Sequence, residues 1–115
     1  MNPDKPLRGE VWYVDFNPVR GHEQGEKRPA LVISADTFNA GPAGLVTVVP
    51  ITSKDKRIPL HIAIQAPEAG LKKTSFAMPE QIRTVSKDRL SKGWGMVSNT
   101  TLAKVETMLR VLLDL

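Results

Sequence analysis

Residues 10–34 read EVWYVDFNPVRGHEQGEKRPALVIS, two apolar runs separated by a long connection crowded with charge. In the first run Val11, Trp12, Tyr13, Val14 and Phe16 suit a pleated, half-buried surface, so Glu10 to Phe16 reads as a strand. Its alternation puts Trp12, Val14 and Phe16 on one face and Val11, Tyr13 and Asp15 on the other. Ala30 to Ser34 reads as a second short strand. Two-residue turns are the economical way to join neighbouring strands. The connection from Asn17 instead runs through His22, Glu23, Gln24, Glu26, Lys27 and Arg28, far more than chain reversal requires. Excess loop on a β scaffold points to function.

Outward from this pair the chain keeps producing short strands. LVTVVPIT (Leu45 to Thr52) is a third, set off by the loop FNAGPAG, and its Pro50 predicts a bulge or a strand edge. His61 to Gln65, Ser75 to Met78 and QIRTV are further strands, with a short helical turn over Ser86 to Leu90 and a brief strand at Met96 and Val97. From Ser98 the period changes. Leu102, Val105, Leu109 and Leu112 recur at three- and four-residue spacing, widened by Met108 and Leu113, with Ser98 or Asn99 as N-cap. Many short strands and one terminal amphipathic helix imply a mainly β protein: a small, strongly curved barrel or sandwich closed at one side by the helix. No repeat or linker divides residues 1–115, so a single domain is expected, with a tail over 1–7 and the helix over 98–114.

Composition excludes several classes. With 41% hydrophobic and 24% charged residues the chain reads as an ordinary soluble globule rather than a disordered or fibrous one. There is no cysteine, and His22 and His61 do not make a usual zinc site unaided, so no disulfide, metal or other cofactor is expected. The start, MNPDKPLRGE, lacks the apolar core of a signal peptide, and no apolar run approaches membrane-spanning length. The expected location is the cytoplasm. Net charge is +4, unevenly spread: residues 51–115 hold eleven Lys/Arg against six Asp/Glu, residues 1–50 five against six. A basic half suits a polyanion or an acidic protein partner, and equally an ordinary solvated surface.

Polar residues interrupt the apolar pattern at a few places. Thr52 ends its strand on the face opposite Val49 and Ile51, beside the basic loop SKDKR, and Gln81 and Arg83 lie opposite Ile82. These three are expected to line one surface, although a threonine at a strand end and two polar residues on a solvated face are commonplace. Arg28 stands between the charged loop and Pro29, where a guanidinium offers bidentate donors to a phosphate or carboxylate. An ion pair to Glu23 or Glu26, clamping the loop, is the competing role. His22 invites nomination as a general base, but a loop-tip histidine is commonly just exposed. His61, between Leu60 and Ile62, reads as structural, and Trp94 in GWG and Phe76 as packing residues.

Three segments, RGEVWYVDFNPVRGHEQGEKRPALVIS, VVPITSK and EQIRTVSKDRL, together with the closing TLAKVETMLRVLLDL, resemble in order and spacing the MazF/PemK family of toxin endoribonucleases, over nearly the whole chain. The resemblance implies an SH3-like barrel with a C-terminal α-helix and a homodimer. It implies a toxin that cleaves single-stranded RNA at short sequences without a metal, through 2'-hydroxyl attack, and an acidic antitoxin that covers the RNA groove. By the same resemblance Arg28 of the R-P motif and Thr52 of the P-x-T motif are catalytic. Glu23, Gln24, Ser53, Gln81 and Arg83 then lie along the substrate path, and Arg28, His22 and Glu23 stay open as the general base. Two other readings compete. One is a non-catalytic SH3-like module that binds RNA or an acidic peptide. The other is a CcdB-like toxin that poisons DNA gyrase, against which stands the ending LLDL in place of an aromatic terminus.

Overall fold

Alternation along the first three strands sends apolar side chains to both faces of a sheet, and both faces are covered. The computed structural model describes residues 1–18, 20–23 and 25–115. Its strands are β1 (Glu10–Asp15), β2 (Lys27–Val32), β3 (Leu45–Thr52), β4 (Ile62–Ile64), β5 (Ser75–Ala77), β6 (Arg83–Ser86) and β7 (Leu90–Met96). All ladders are antiparallel, in the order β4-β5-β3-β2-β1-β7, with β6 also paired to β3. A one-turn helix, α1 (Asp36–Asn39), separates β2 from β3 in the chain, and α2 (Asn99–Leu113) follows β7. The expected mainly β architecture with a C-terminal helix is present as an open path: among the described residues no ladder joins β4 to β7.

The odd-numbered Val11, Leu31, Val49 and Ile51 enter one core cluster with Ile62, Ile64, Val105 and Leu109. The even-numbered Trp12, Val14, Ala30, Val32, Val46 and Val48 enter a second, with Phe16, Val85 and Leu90. The face assignments read from β1 and β3 therefore hold. A one-residue slip of any of these strands would exchange the two sets, so burial on both faces fixes the register.

Several expectations need correction. Pro50 is neither a bulge nor an edge; it is buried inside β3, near the point where that strand passes from β6 (paired to residues 45–48) to β5 (paired to 51 and 52). Its carbonyl accepts from Met78 N at 2.9 Å. β2 begins at Lys27 rather than Ala30, because Val14 pairs with Arg28 and Asp15 with Lys27. Arg28 and Pro29 are thus strand residues. The last strand is not a two-residue fragment at Met96 but the seven-residue β7, whose glycines masked its β character. Gln81 lies on a 3-10 turn, Pro79–Gln81, ahead of β6. The helical turn near residue 88 is a 3-10 turn over Lys87–Arg89.

α2 starts as expected, with Ser98 Oγ accepting from Thr101 N at 3.1 Å. Val105 and Leu109 are buried beneath it, whereas Leu112 and Leu113 are exposed because the helix outruns the sheet it covers. The N-terminal tail is tied in: Arg8 Nη2 meets Glu106 Oε1 of α2 at 2.6 Å. His61 is structural, its buried side chain meeting Glu80 Oε2 at 2.7 Å and so fastening β4 to the turn that carries Gln81. No helix among the described residues is long and apolar enough to cross a membrane. Leu109→Ala removes a buried anchor of α2 and is expected to cost about 2–5 kcal/mol, read as a lower urea midpoint at unchanged slope.

Candidate functional site

The β2–β3 ladder runs through Val32↔Val48, Leu31↔Val49 and Ala30↔Pro50 and stops there. Proline has no N–H to lend to a ladder, and Pro29, next in register opposite Ile51, stands at the stopping point. Beyond it the two strands enclose a cleft of about 460 Å³ instead of pairing. The same register carried two residues further sets Arg28 across from Thr52. Both line the cleft, with Lys27 and Pro29 from β2 and Ile51 from β3. Ser53, Lys54 and Lys56 of the following loop, Leu71 to Lys73, Ser75, Tyr13 and Trp94 complete it.

Arg28 is anchored in β2 by its pairing with Val14, and its Nε donates to Gly25 O at 3.0 Å. Burial lowers its pKa by disfavouring the charged form; Glu26 and Tyr13 oppose that shift. Of the two acids weighed as clamps, Glu26 stands 3.9 Å from Nη2 but is 84% exposed, a weak solvent-screened pair. Glu23 faces Arg83 instead, at 3.9 Å. Thr52 is buried, and its Oγ1 accepts from Lys54 N at 3.2 Å, which leaves the hydroxyl hydrogen for another acceptor.

The sequence-predicted residues divide into two groups. Arg28, Thr52 and Ser53 line the cleft; Gln81 and Arg83 are not among its lining residues and act on the β1–β2 loop. Gln81 Nε2 donates to His22 O at 3.3 Å. Arg83 Nη1 donates to Phe16 O at 3.4 Å, and its guanidinium lies 5.5 Å from the Phe16 ring centroid. Of the three residues expected to line one surface, Thr52 lines this cleft, while Gln81, on the 3-10 turn before β6, and Arg83 do not. Glu23 lies on that loop, its Oε1 accepting from Arg20 N at 2.9 Å, and His22 is exposed. Gln24 lies outside the described residues.

Electrostatically the cleft is one-signed: Lys27, Lys54, Lys56, Lys72 and Lys73 surround Arg28, with no Asp, Glu or His among its described lining residues. All but Lys27 come from the basic second half of the chain. Sequence reasoning missed Tyr13, Trp94 and the Lys72–Lys73 doublet. The doublet was the available signal, since neighbouring lysines on a turn between strands have nothing to bury. No three His, Cys, Asp or Glu side chains cluster as metal ligands among the described residues.

The family model described as "PemK-like, MazF-like toxin of type II toxin-antitoxin system" matches residues 7–113. The chain belongs to this family. It is 40% identical over 113 residues to Endoribonuclease MazF9 of Mycobacterium tuberculosis, covering 94% of this chain and 96% of that one. With Endoribonuclease EndoA of Bacillus subtilis it shares 35% over 109 residues, covering 94% of each. Among solved structures it is similar to MazF from Deinococcus radiodurans, with a TM-score of 0.86 at 31% identity over 96% of this chain and 97% of that one. It is also similar to an endoribonuclease in complex with its cognate antitoxin from a mycobacterial species, with a TM-score of 0.76 at 27% identity, covering 100% and 97%.

The contacts of Gln81 and Arg83 assign them to holding the loop. Replacing both with Ala is expected to speed hydrogen–deuterium exchange at the Arg20 and Glu23 amides while the β1–β2 ladder stays protected. Unchanged exchange at those two amides would show that the loop is held by other contacts.

Proposed function

We propose that this chain is the toxin of a type II toxin–antitoxin pair and cleaves single-stranded RNA in the cleft between β2 and β3. The observation that supports this most is the pairing of a strand-anchored guanidinium with a donor-ready hydroxyl across a lysine-lined cleft. Lysines draw in the phosphodiester backbone. Arg28 then clamps the oxygens of one phosphate, where preorganised donors act most strongly as charge builds in the transition state. Thr52 donates to the same group and fixes its orientation.

RNA supplies the nucleophile. Its 2'-oxygen bonds to phosphorus, the bond from phosphorus to the 5'-oxygen breaks, and the products are a 2',3'-cyclic phosphate and a 5'-hydroxyl. The 2'-proton passes to a base and the departing 5'-oxygen takes up a proton from solvent water, to which the base later returns its own. Arg28, His22 and Glu23 are the candidate acceptors. A guanidinium that clamps the phosphate is already protonated and has no site for the 2'-proton, so Arg28 could serve as base only in its neutral form, while His22 and Glu23 reach the phosphate only if their loop swings over the cleft. No step requires a metal. The charge of the cleft also suits an acidic antitoxin, as relatives from D. radiodurans and a mycobacterial species have been solved with their antitoxins. A homodimer completes the proposed assembly.

The test is to incubate the purified protein with a long unstructured transcript in a chelator and to map the ends. Cuts at a recurring short sequence bearing cyclic phosphates are expected. RNA that binds in a salt-sensitive way and is recovered intact would establish the binding-module reading instead. Arg28→Ala is expected to lose about a thousandfold in cleavage rate, on the order of 4 kcal/mol, with a smaller loss of RNA affinity. His22→Ala decides that residue's part: a rate close to wild type removes it as the base.

A further inference from the structure

β1 and β7 do not pair evenly. Val11 is opposite Gly95 and Trp12 opposite Gly93, which leaves Trp94 as the extra residue of a β-bulge. Bulges re-aim side chains, and this one brings the indole flat against Tyr13: the ring centroids are 5.6 Å apart and the planes 8° from parallel. The backbone beneath is packed tightly. Gly70 has a positive φ of 74°, and a Cβ there would overlap the Trp94 carbonyl oxygen; a Cβ on Gly95 would come within 2.8 Å of the Ala69 carbonyl carbon. An aromatic pair in ordinary packing needs no such arrangement at the rim of a charged cleft.

The pair also forms a boundary. Tyr13, Trp94 and Lys72 line the cleft of Arg28 and Thr52, and the same three line a second cleft of about 400 Å³ with Gly70, Lys92 and Gly93. The two clefts are therefore contiguous through an aromatic stack, with a lysine shared between them and another beyond. A polyanion running from one to the other passes the two aromatic rings between cationic points. Single-stranded nucleic acid matches that sequence of features, because each nucleotide pairs a phosphate with a π-face.

We infer that the Tyr13–Trp94 stack is a base platform and that the second cleft holds the nucleotide next to the one cut, its base on the stack and its phosphate between Lys72 and Lys92. This rests on the endoribonuclease reading and adds to it a residue pair that holds substrate by stacking. A π-face accepts any base, so the platform discriminates a stacked base from an absent one more sharply than one base from another.

Fluorescence tests it directly, because the chain has two tryptophans and Trp12 is only 2% exposed. The probe is an oligonucleotide carrying the mapped cut site, made uncleavable by a 2'-deoxy sugar there and end-labelled so that anisotropy reports binding. Binding is expected to quench tryptophan emission and to shield it from iodide. The same oligonucleotide abasic at the flanking position is expected to bind with the quench lost. Trp94→Leu should raise Kd about fivefold to a hundredfold, with Trp94→Phe restoring most of the affinity. RNA that binds and is cut while emission, iodide access and the abasic control show no difference overturns the platform and leaves the nuclease standing. Absence of both binding and cleavage overturns the nuclease reading and the platform with it. If Trp94→Leu fails to fold by circular dichroism, the wild-type titration and the abasic control decide alone.

Discussion

The site depends on a ladder that stops. β3 is the strand through which most of the sheet is connected, paired to β2 along one edge and to β6 and then β5 along the other. Its pairing to β2 ends at Ala30↔Pro50, where Pro29, next in register opposite Ile51, has no N–H to lend to a continuation. Had that ladder zipped further, Arg28 and Thr52 would be cross-strand neighbours on a closed sheet. Because it does not, both line a cleft of about 460 Å³ whose walls are fixed by register.

Rigidity on either side of the gap comes from burial on both faces. Each of the first three strands contributes to both core clusters, so neither wall can shift without moving apolar side chains from one core to the other. Against these fixed walls the β1–β2 loop is held by a few polar contacts, to Gln81, to Arg83 and to the side chain of Arg28 itself. Such a division lets a loop held by single hydrogen bonds open locally without disturbing a scaffold held by packing. The lysines add attraction over a range set by salt rather than by shape.

The strands and the terminal helix were legible because their residues obey a period: the alternation of β1 and β3 sorted side chains to the faces on which they are found, and the cap at Ser98 marked where the helix starts. The misreadings have physical causes. α1 is a single turn, too short for any periodicity, and is secured by Asn39, whose amide donates to Pro6 O and Ser34 O, contacts that no local pattern announces. β7 contains Gly93 and Gly95, poor strand formers in isolation, and owes its existence to β1 alongside. Arg28 and Thr52 came forward through motifs of the family, whereas the route by which both come to line one cleft, register across β2 and β3, is a tertiary fact. Trp94 read as packing because a sequence does not display a bulge; the side chain does pack against the first core cluster, but it also borders two clefts.

That glycine-lined seat has a corollary. Gly70, Gly95 and Ala69 hold position 94 largely through main-chain proximity, so the scaffold registers where the backbone runs more than which ring it bears. Position 94 is therefore the place at the cleft rim where a change of side chain would disturb the main chain least.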